Sequence, residues 1–152
     1  MGRKTTTELD KVLGKLNPDL IQDYLNDNKQ ELFEDEKPFS KYMKDMFKAK
    51  GFSQQEVFIR ADMPERYGYK IIAGDKHTVK RDVIIRLAIA SKFNLKETNR
   101  ALKLYGFNEL YSKIARDAVV IVAINSGIYN IDQVNELLRK NGFEELYSFE
   151  IY

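Results

Sequence analysis

The stretch FSQQEVFIRADMPERYGYKIIAGDKHT, residues 52–78, decides the fold. Ser53 followed by Glu56 has the pattern of a capping box, which begins a helix. After about two helical turns comes a tight turn of about three residues, and Pro64 begins a second helix, because proline is favoured at the first helical position. Gly74 ends that second helix, as glycine commonly does. The stretch therefore predicts a helix-turn-helix layout.

The flanking sequence predicts further helices and no convincing strand, so the fold class is all-α. In the N-terminal part we expect a helix over residues 7–16 and another after Asn17-Pro18, where asparagine caps and proline starts the helix. That second helix would place Leu20, Ile21, Tyr24, Leu25, Asn28 and Leu32 on one side. From residue 39 onward, the predicted helices cover about 39–50, 53–61, 64–73, 78–92 and 94–105.

Three further sequence features support this division into helices: a helix cap, an apolar stripe and a linker. Asn94 is the expected cap of the fifth helix in this series. The fourth helix carries an apolar stripe that predicts its buried face, made of Val79, Val83, Ile84, Leu87 and Ala88. The charged segment EDEKP, residues 34–38, reads as a linker because its proline disfavours helix before it.

The end of the chain repeats the segment before it. Residues 93–112 and 129–148 are identical at nine of twenty positions, including the shared ending ELYS. RDVIIRLAIAS (81–91) also overlays RDAVVIVAINS (116–126). We therefore expect a second helical hairpin that copies the first one and stacks on it or on another subunit. The apolar run AVVIVAI (118–124), which has strand propensity, is then predicted to be a buried helix.

Charge varies along the chain and supports a division into three parts. Residues 1–38 contain 6 Lys/Arg and 9 Asp/Glu, residues 39–112 contain 15 and 8, and residues 113–152 contain 4 and 6. We predict an N-terminal helical segment (1–38), a helix-turn-helix domain (39–112) and a C-terminal hairpin (113–152). The basic middle suggests an anionic partner, although a solvated helical surface would also account for the charge.

The motif in residues 52–78 resembles the λ-repressor-like, Cro-type (XRE) family of helix-turn-helix transcriptional regulators. The resemblance covers about residues 39–106 and needs no gaps in the motif. Gln54 falls at the first motif position, Met63 at the apolar turn position, Ile71 at the apolar anchor of the second helix and Gly74 at the closing glycine. It implies a five-helix DNA-binding domain whose third helix enters the major groove, usually as a two-fold dimer on palindromic half-sites.

Three residues depart from the family pattern. In that pattern the fifth motif position usually holds a small residue, the ninth holds Gly, and the fifteenth holds Ile or Val. Here they are Phe58, Asp62 and Gly68. Asp62 is a mild change, because Asp tolerates left-handed backbone geometry. The fifth and fifteenth positions face each other in the family fold, so we interpret Phe58 and Gly68 as an exchange of large and small side chains. The alternative is that Gly68 ends or kinks its helix early.

The resemblance implies a set of DNA-contacting residues. Groove-facing positions would be Pro64, Glu65, Arg66, Tyr69 and Lys70, with Tyr67 facing either the groove or the phosphates. Arg66 can donate two hydrogen bonds to a guanine edge, and Glu65 can accept a hydrogen bond from the cytosine amino group. Phosphate contacts are expected from Gln54 and Gln55 at a helix N-terminus and from the loop residues Lys76, His77 and Lys80. Partial burial of the tyrosines and simple solvation of the lysines are the alternatives.

Enzymatic chemistry is not expected from this composition. The chain has no cysteine, and His77 is its only histidine. The carboxylate pairs Asp35/Glu36 and Glu144/Glu145 are sequence neighbours, and no glycine-rich phosphate loop occurs. We therefore expect no catalytic residue, metal site or cofactor. The lack of a signal peptide and of a long apolar run predicts a cytoplasmic protein with no membrane association.

The sequence thus predicts a transcriptional regulator that binds double-stranded DNA. The C-terminal hairpin, apolar along Val119, Val120, Val122 and Ala123, is the candidate surface for a homodimer or a protein partner. The alternative is a protein-interaction adapter on a degenerate helix-turn-helix scaffold, since fold alone does not fix function. An adapter would expose an apolar patch where a DNA-binding protein presents basic residues.

Overall fold

The computed structural model describes residues 6–27 and 37–149. Within them every regular element is a helix, which confirms the all-α prediction. No helix in these two ranges is long and apolar enough to cross a membrane. The helices are α1 (Thr6–Lys15), α2 (Ile21–Asp27), α3 (Pro38–Lys50), α4 (Gln54–Arg60), α5 (Glu65–Ala73), α6 (Arg81–Ala90), α7 (Leu95–Tyr105), α8 (Ala115–Asn125) and α9 (Ile131–Lys140).

The chain forms two compact units that divide between Lys37 and Pro38. The first contains α1 and α2, separated by a 3₁₀ turn over Pro18–Leu20. The Asn17 side chain accepts a hydrogen bond of 2.9 Å from the Asp19 N–H, as expected of a cap. The predicted Asn28 and Leu32 positions and residues 34–36 of the predicted linker lie outside the described residues.

The second unit has one hydrophobic core that runs from α3 to the residues after α9. It therefore spans the two segments that the sequence analysis separates at residue 112. The largest fully buried side chains come from α3 to α9 and the segments between them: Phe47, Phe58, Phe93, Met43, Ile71, Ile72, Ile84, Ile85, Leu87, Ile89, Leu102 and Leu138. The C-terminal hairpin is thus packed on the middle segment and shares its interior.

Local sequence signals set the boundaries of α4 and α5. The Ser53 hydroxyl accepts from the Glu56 N–H at 3.1 Å, and the Glu56 carboxylate accepts from the Ser53 N–H at 3.3 Å, which confirms the predicted capping box. Asp62 has φ +52°, the left-handed geometry expected at the turn. Gly74 caps α5 with φ +83°. The tight turn between the two helices was therefore predictable from residue types alone.

Phe58 and Gly68 meet where α4 packs against α5. Phe58 is fully buried, and a Cβ placed on Gly68 would lie 2.5 Å from Phe58 Cδ1 and 2.7 Å from Cγ. The exchange of large and small residues is confirmed. The alternative interpretation of Gly68 as a helix end or kink is wrong, because its N–H bonds the Pro64 carbonyl at 2.9 Å and α5 continues to Ala73.

The fourth predicted helix begins later than expected. The sequence predicts a helix over residues 78–92, whereas α6 covers Arg81–Ala90, and Val79 is 83% exposed instead of contributing to the apolar stripe. The Thr78 hydroxyl accepts from the Lys80 N–H at 3.0 Å, and the Thr78 N–H donates to the Tyr105 hydroxyl at 2.7 Å. Such side-chain bonds compete with helical hydrogen bonding and delay the helix.

The two hairpins, α6–α7 and α8–α9, repeat their internal hydrogen bonds. Asn99 accepts from the Leu110 N–H at 2.9 Å, and Asn135 accepts from the Leu146 N–H at 2.8 Å. The run AVVIVAI lies in α8, so the helical interpretation drawn from the repeat is confirmed. Sequence identity between the copies therefore reflects the same local structure.

Reciprocal ion pairs join the two hairpins. Arg81 donates to both carboxylate oxygens of Asp117 at 2.8 and 2.9 Å, and Arg116 donates to both oxygens of Asp82 at 3.0 and 2.9 Å. Each arginine also donates to two backbone carbonyls in the loop that ends its own hairpin. The repeated Arg-Asp pair thus links the copies with approximate two-fold symmetry, a contact that the sequence alignment could not assign.

The Arg81–Asp117 pair predicts a specific acid sensitivity. Burial by itself raises the pKa of Asp117, but hydrogen bonds from Arg81 and the Tyr111 N–H outweigh it and hold the pKa below its ordinary value of 3.8. A carboxyl with a lowered folded-state pKa stabilises the fold above that ordinary value, and the contribution disappears as pH falls through the folded pKa. We therefore expect Asp117→Asn to be less stable than wild type at pH 7.

The measurement is urea unfolding of both proteins from pH 7 down to pH 2. The stability difference between wild type and Asp117→Asn should shrink once the pH falls below about 4. Asp75→Asn, an exposed carboxyl change after α5, serves as the control and should leave the profile close to wild type. A stability difference that stays constant over the whole range would contradict the prediction.

Candidate nucleic-acid interface

Helix α5 has a buried side and a charged, exposed side. Gly68, Ile71 and Ile72 face the core. Glu65, Arg66, Tyr69 and Lys70 are exposed on the opposite side, and Arg66 and Lys70 are one helical turn apart and so share a face. The structure thus brings together four of the predicted groove-facing residues.

Within the described residues Arg66 and Lys70 have no acidic partner, and the same is true of Lys76 and Lys80 in the loop after α5, whereas several other cations of the second unit are paired. Arg81 and Arg116 pair with aspartates, and Lys50 pairs with Glu97 at 2.8 Å. Within residues 6–27 and 37–149, no carboxylate lies at ion-pair distance from Arg66 or Lys70. Their charges are therefore available to an anionic ligand.

Pro64 and Glu65 form the start of this helix. Pro64 is the half-buried N-cap residue of α5 and makes no side-chain cap hydrogen bond, so the helix begins at Glu65, one residue later than predicted. Glu65 lies in the first turn, where its carboxylate is favoured by the positive end of the helix dipole. Glu65 thus stabilises the helix. Its negative charge also repels phosphate groups, which lowers the general attraction of this face for DNA.

Two tyrosines on α5 and the histidine in the loop after it have different surroundings. Tyr69 is exposed and packs its edge against the Phe58 ring, with centroids 4.9 Å apart. Tyr67 is half-buried beside Phe149, at 4.9 Å, so it lies at the edge of the exposed face. His77 is exposed and stacks on Tyr105 at 4.6 Å with nearly parallel rings.

The loop after α5 carries two exposed lysines that contact aromatic rings. The Lys76 ammonium lies 5.1 Å from the Tyr67 ring centroid, and the Lys80 ammonium lies 5.4 Å from the Tyr147 ring centroid. These are cation–π contacts. They place Lys76 beside α5 and Lys80 beside the C-terminal segment.

The two glutamines lie in the first turn of α4. Gln55 is exposed and Gln54 is half-buried. The capping box already uses the N–H groups of Ser53 and Glu56 and brings the Glu56 carboxylate to this end of the helix. The capping box does not use the N–H groups of Gln54 and Gln55, so a phosphate contact here would involve these backbone groups as well as the glutamine side chains.

The apolar residues of the C-terminal hairpin do not form one exposed surface. Val120 and Ala123 are buried in the core, so the prediction that they belong to a partner surface is wrong. Val122 is 60% exposed, and Val119 is half-buried beside it. Because α8 packs one side on the core, only part of its apolar run remains on the surface.

Sequence reasoning missed Arg86, which links the motif to residues 146 and 147, after α9. This buried guanidinium donates to the Ala61 carbonyl at 2.9 Å, to the Leu146 carbonyl at 3.3 Å and to the Tyr147 carbonyl at 2.5 Å. Burial lowers its pKa, although neighbouring carboxylates, Asp62 first among them, act in the opposite direction. The signal in the sequence was a break in the repeat, because the position matching Arg86 in the second copy is Ile121.

Comparisons of this chain with protein-family profiles, with curated proteins and with solved structures found no match.

Proposed function

We propose that this protein is a sequence-specific DNA-binding transcriptional regulator of the λ-repressor-like type. Helices α3 to α7 would form the five-helix domain, with α4 and α5 as the helix-turn-helix and α5 in the major groove. The observation that carries the proposal is the exposed face of α5, where Arg66 and Lys70 have no acidic partner in the described part of the chain. Two cations that lie one helical turn apart on the exposed face of a short helix suit a polyanionic ligand.

The residues divide into two chemical roles in this proposal. Arg66 reads a guanine edge with two hydrogen bonds, and Glu65 accepts from a cytosine amino group. Lys70 and Tyr69 reach phosphates or a thymine methyl group from the same face. The remaining phosphate contacts come from residues flanking the helix: Gln54, Gln55, Lys76, His77 and Lys80. Pro64 sets the start of the reading helix, and Tyr67 supports its edge.

A homodimer on a palindromic site is part of the proposal because the resemblance implies it. The rival function, a protein-interaction adapter, would need an apolar patch in place of these charges. Ile59, on α4, is 71% exposed, but the exposed face of α5 carries charges. Single exposed apolar residues are common on protein surfaces and do not by themselves indicate a partner.

Selection of binding sites from random DNA duplexes, followed by affinity measurements over a range of salt concentrations, tests this function. We expect one enriched motif and an affinity that falls steeply with salt, because cations that neutralise phosphates release counterions. Failure of the wild-type protein to bind any duplex at low salt would end the proposal. Binding without an enriched motif would leave a non-specific DNA-binding protein and remove the sequence-specific role.

Two variants then separate base reading from phosphate contact. Arg66→Ala should cost about 1–3 kcal/mol on the selected duplex and relax the preference at one base pair. Lys76→Ala should weaken binding to all DNA sequences to a similar extent and reduce the slope of log affinity against log salt concentration by about 1. Arg139→Ala, which removes an exposed arginine of α9, is the charge-matched control and should retain both affinity and preference. Equal behaviour of Arg66→Ala and Arg139→Ala would contradict the role of Arg66.

A further inference from the structure

The segment over residues 146–149, which follows α9, is held firmly on the helix-turn-helix side of the molecule. Leu146 is buried, and its N–H donates to Asn135. The Tyr147 N–H donates to Asp82 at 2.9 Å, and the carbonyls of both residues accept from Arg86. The segment thus has a fixed backbone, although the Tyr147 and Ser148 side chains are exposed.

Its aromatic side chains connect α5 to the loop that follows it. Phe149 packs against Tyr67 at 4.9 Å and against Tyr147 at 5.4 Å. We call these three side chains the ring cluster. Lys76 lies over Tyr67 and Lys80 over Tyr147, so a lysine from the α5–α6 loop contacts each end of the cluster.

The internal repeat shows that this arrangement is particular to the second copy. Tyr111 occupies the position in the first hairpin that matches Tyr147, and the two side chains are comparably exposed, at 52% and 41%. Among the described residues, no lysine or arginine lies over the Tyr111 ring. Among the described residues, the tyrosine of the duplicated ending ELYS thus has a cation over its ring only in the second copy, where it adjoins the candidate interface.

We propose that the ring cluster is part of the nucleic-acid interface and that Tyr147 and Tyr67 are positioning residues for the phosphate contacts of Lys80 and Lys76. An ammonium resting on a ring still has N–H donors directed away from it. Because the ring restricts the lysine before binding, less side-chain entropy is lost when a phosphate is bound. The inference rests on the proposed function and adds a role for the C-terminal hairpin, which supplies two of the three rings.

The test measures affinity for the selected duplex with variants at the two matched tyrosines. Tyr147→Leu should bind about 2- to 10-fold more weakly, the ratio that corresponds to the entropy lost when one long side chain is immobilised on binding. Tyr147→Phe keeps the ring and should bind as wild type does. Tyr111→Leu, the same change in the first copy, should also have no effect. Thermal melts should show all three variants folded, since the Tyr147 and Tyr111 side chains are both exposed and lie outside the buried core.

Two further readouts separate positioning from a structural effect. In a Lys80→Gln background, Tyr147→Leu should cause no further loss, because the ring acts through that lysine. Tyr147→Leu should also keep the wild-type salt slope, because Lys80 retains its charge, whereas Lys80→Gln should reduce the slope by about 0.9.

Several outcomes overturn the inference while leaving DNA binding intact. They are wild-type affinity or tighter binding in Tyr147→Leu, equal losses in Tyr147→Leu and Tyr111→Leu, or an undiminished loss in the Lys80→Gln background. Tighter binding would mean that the segment competes with DNA. If the wild-type protein binds no duplex, the proposed function fails and this inference fails with it.

Discussion

Gly68→Ile is expected to lower the free energy of unfolding by about 1–3 kcal/mol, the usual cost of overpacking a core. The added Cβ alone would lie 2.5 Å from Phe58 Cδ1 and 2.7 Å from its Cγ. Cγ is close to the Phe58 backbone, so the ring cannot move away without disturbing the contact between α4 and α5. This cost exceeds the gain in helix propensity on replacing glycine, which is below about 1 kcal/mol.

A double-mutant cycle tests whether Phe58 is the cause. Phe58→Ala alone should cost about 3–5 kcal/mol, because it empties a fully buried ring position. In that background, Gly68→Ile should cost little or restore part of the lost stability, since the new side chain fills the vacated space. The four proteins would be compared by chemical denaturation under identical conditions.

A matched control is available at another helical glycine. A Cβ at Gly14, in α1, would meet no atom within 4 Å, so Gly14→Ile should change stability by less than about 0.5 kcal/mol. Additive costs of Phe58→Ala and Gly68→Ile, within about 0.5 kcal/mol, would show that the two positions do not share one space.

Arg86→Ala is expected to destabilise the second unit by about 2–4 kcal/mol, because it leaves buried carbonyl groups unpaired at about 1–3 kcal/mol each. Arg86 donates to carbonyls of Ala61, Leu146 and Tyr147, which lie 25, 60 and 61 residues away in the sequence. Its loss would therefore also loosen the segment after α9. Urea unfolding followed by circular dichroism measures the global effect.

Hydrogen exchange in the Arg86→Ala variant should locate the local effect. The Leu146 and Tyr147 amides, which donate to Asn135 and Asp82, should lose protection more than amides within α3. Arg139→Ala provides the comparison, because that arginine is exposed and pairs only with Glu145 in the described structure; it should lie within about 0.5 kcal/mol of wild type. Equal stability of the two variants would contradict the structural role of Arg86.

Much of the local structure was predictable because its causes lie within three or four residues. The capping box of Ser53 and Glu56 is satisfied by neighbouring backbone groups, and Asp62 and Gly74 adopt left-handed geometry that few residue types tolerate. The exposed side of α5 follows from the same helical periodicity, so the sequence alone predicts that Arg66 and Lys70 share a face. The predicted burial of Val79 is wrong, because the Thr78 side chain bonds the Lys80 N–H and the helix begins only at Arg81.

The sequence by itself determined the helical class, the turn between α4 and α5, and the duplication of a hairpin. Only the tertiary structure decided how the copies join, because the pairing of Arg81 with Asp117 and of Arg116 with Asp82 depends on how two helices pack across more than thirty residues of chain. It also decided that Tyr67 turns toward Phe149 and that Arg86 bonds the carbonyls of Leu146 and Tyr147. Periodicity places a residue on a face of its helix, but its partner is set by packing between distant segments, which no local pattern encodes.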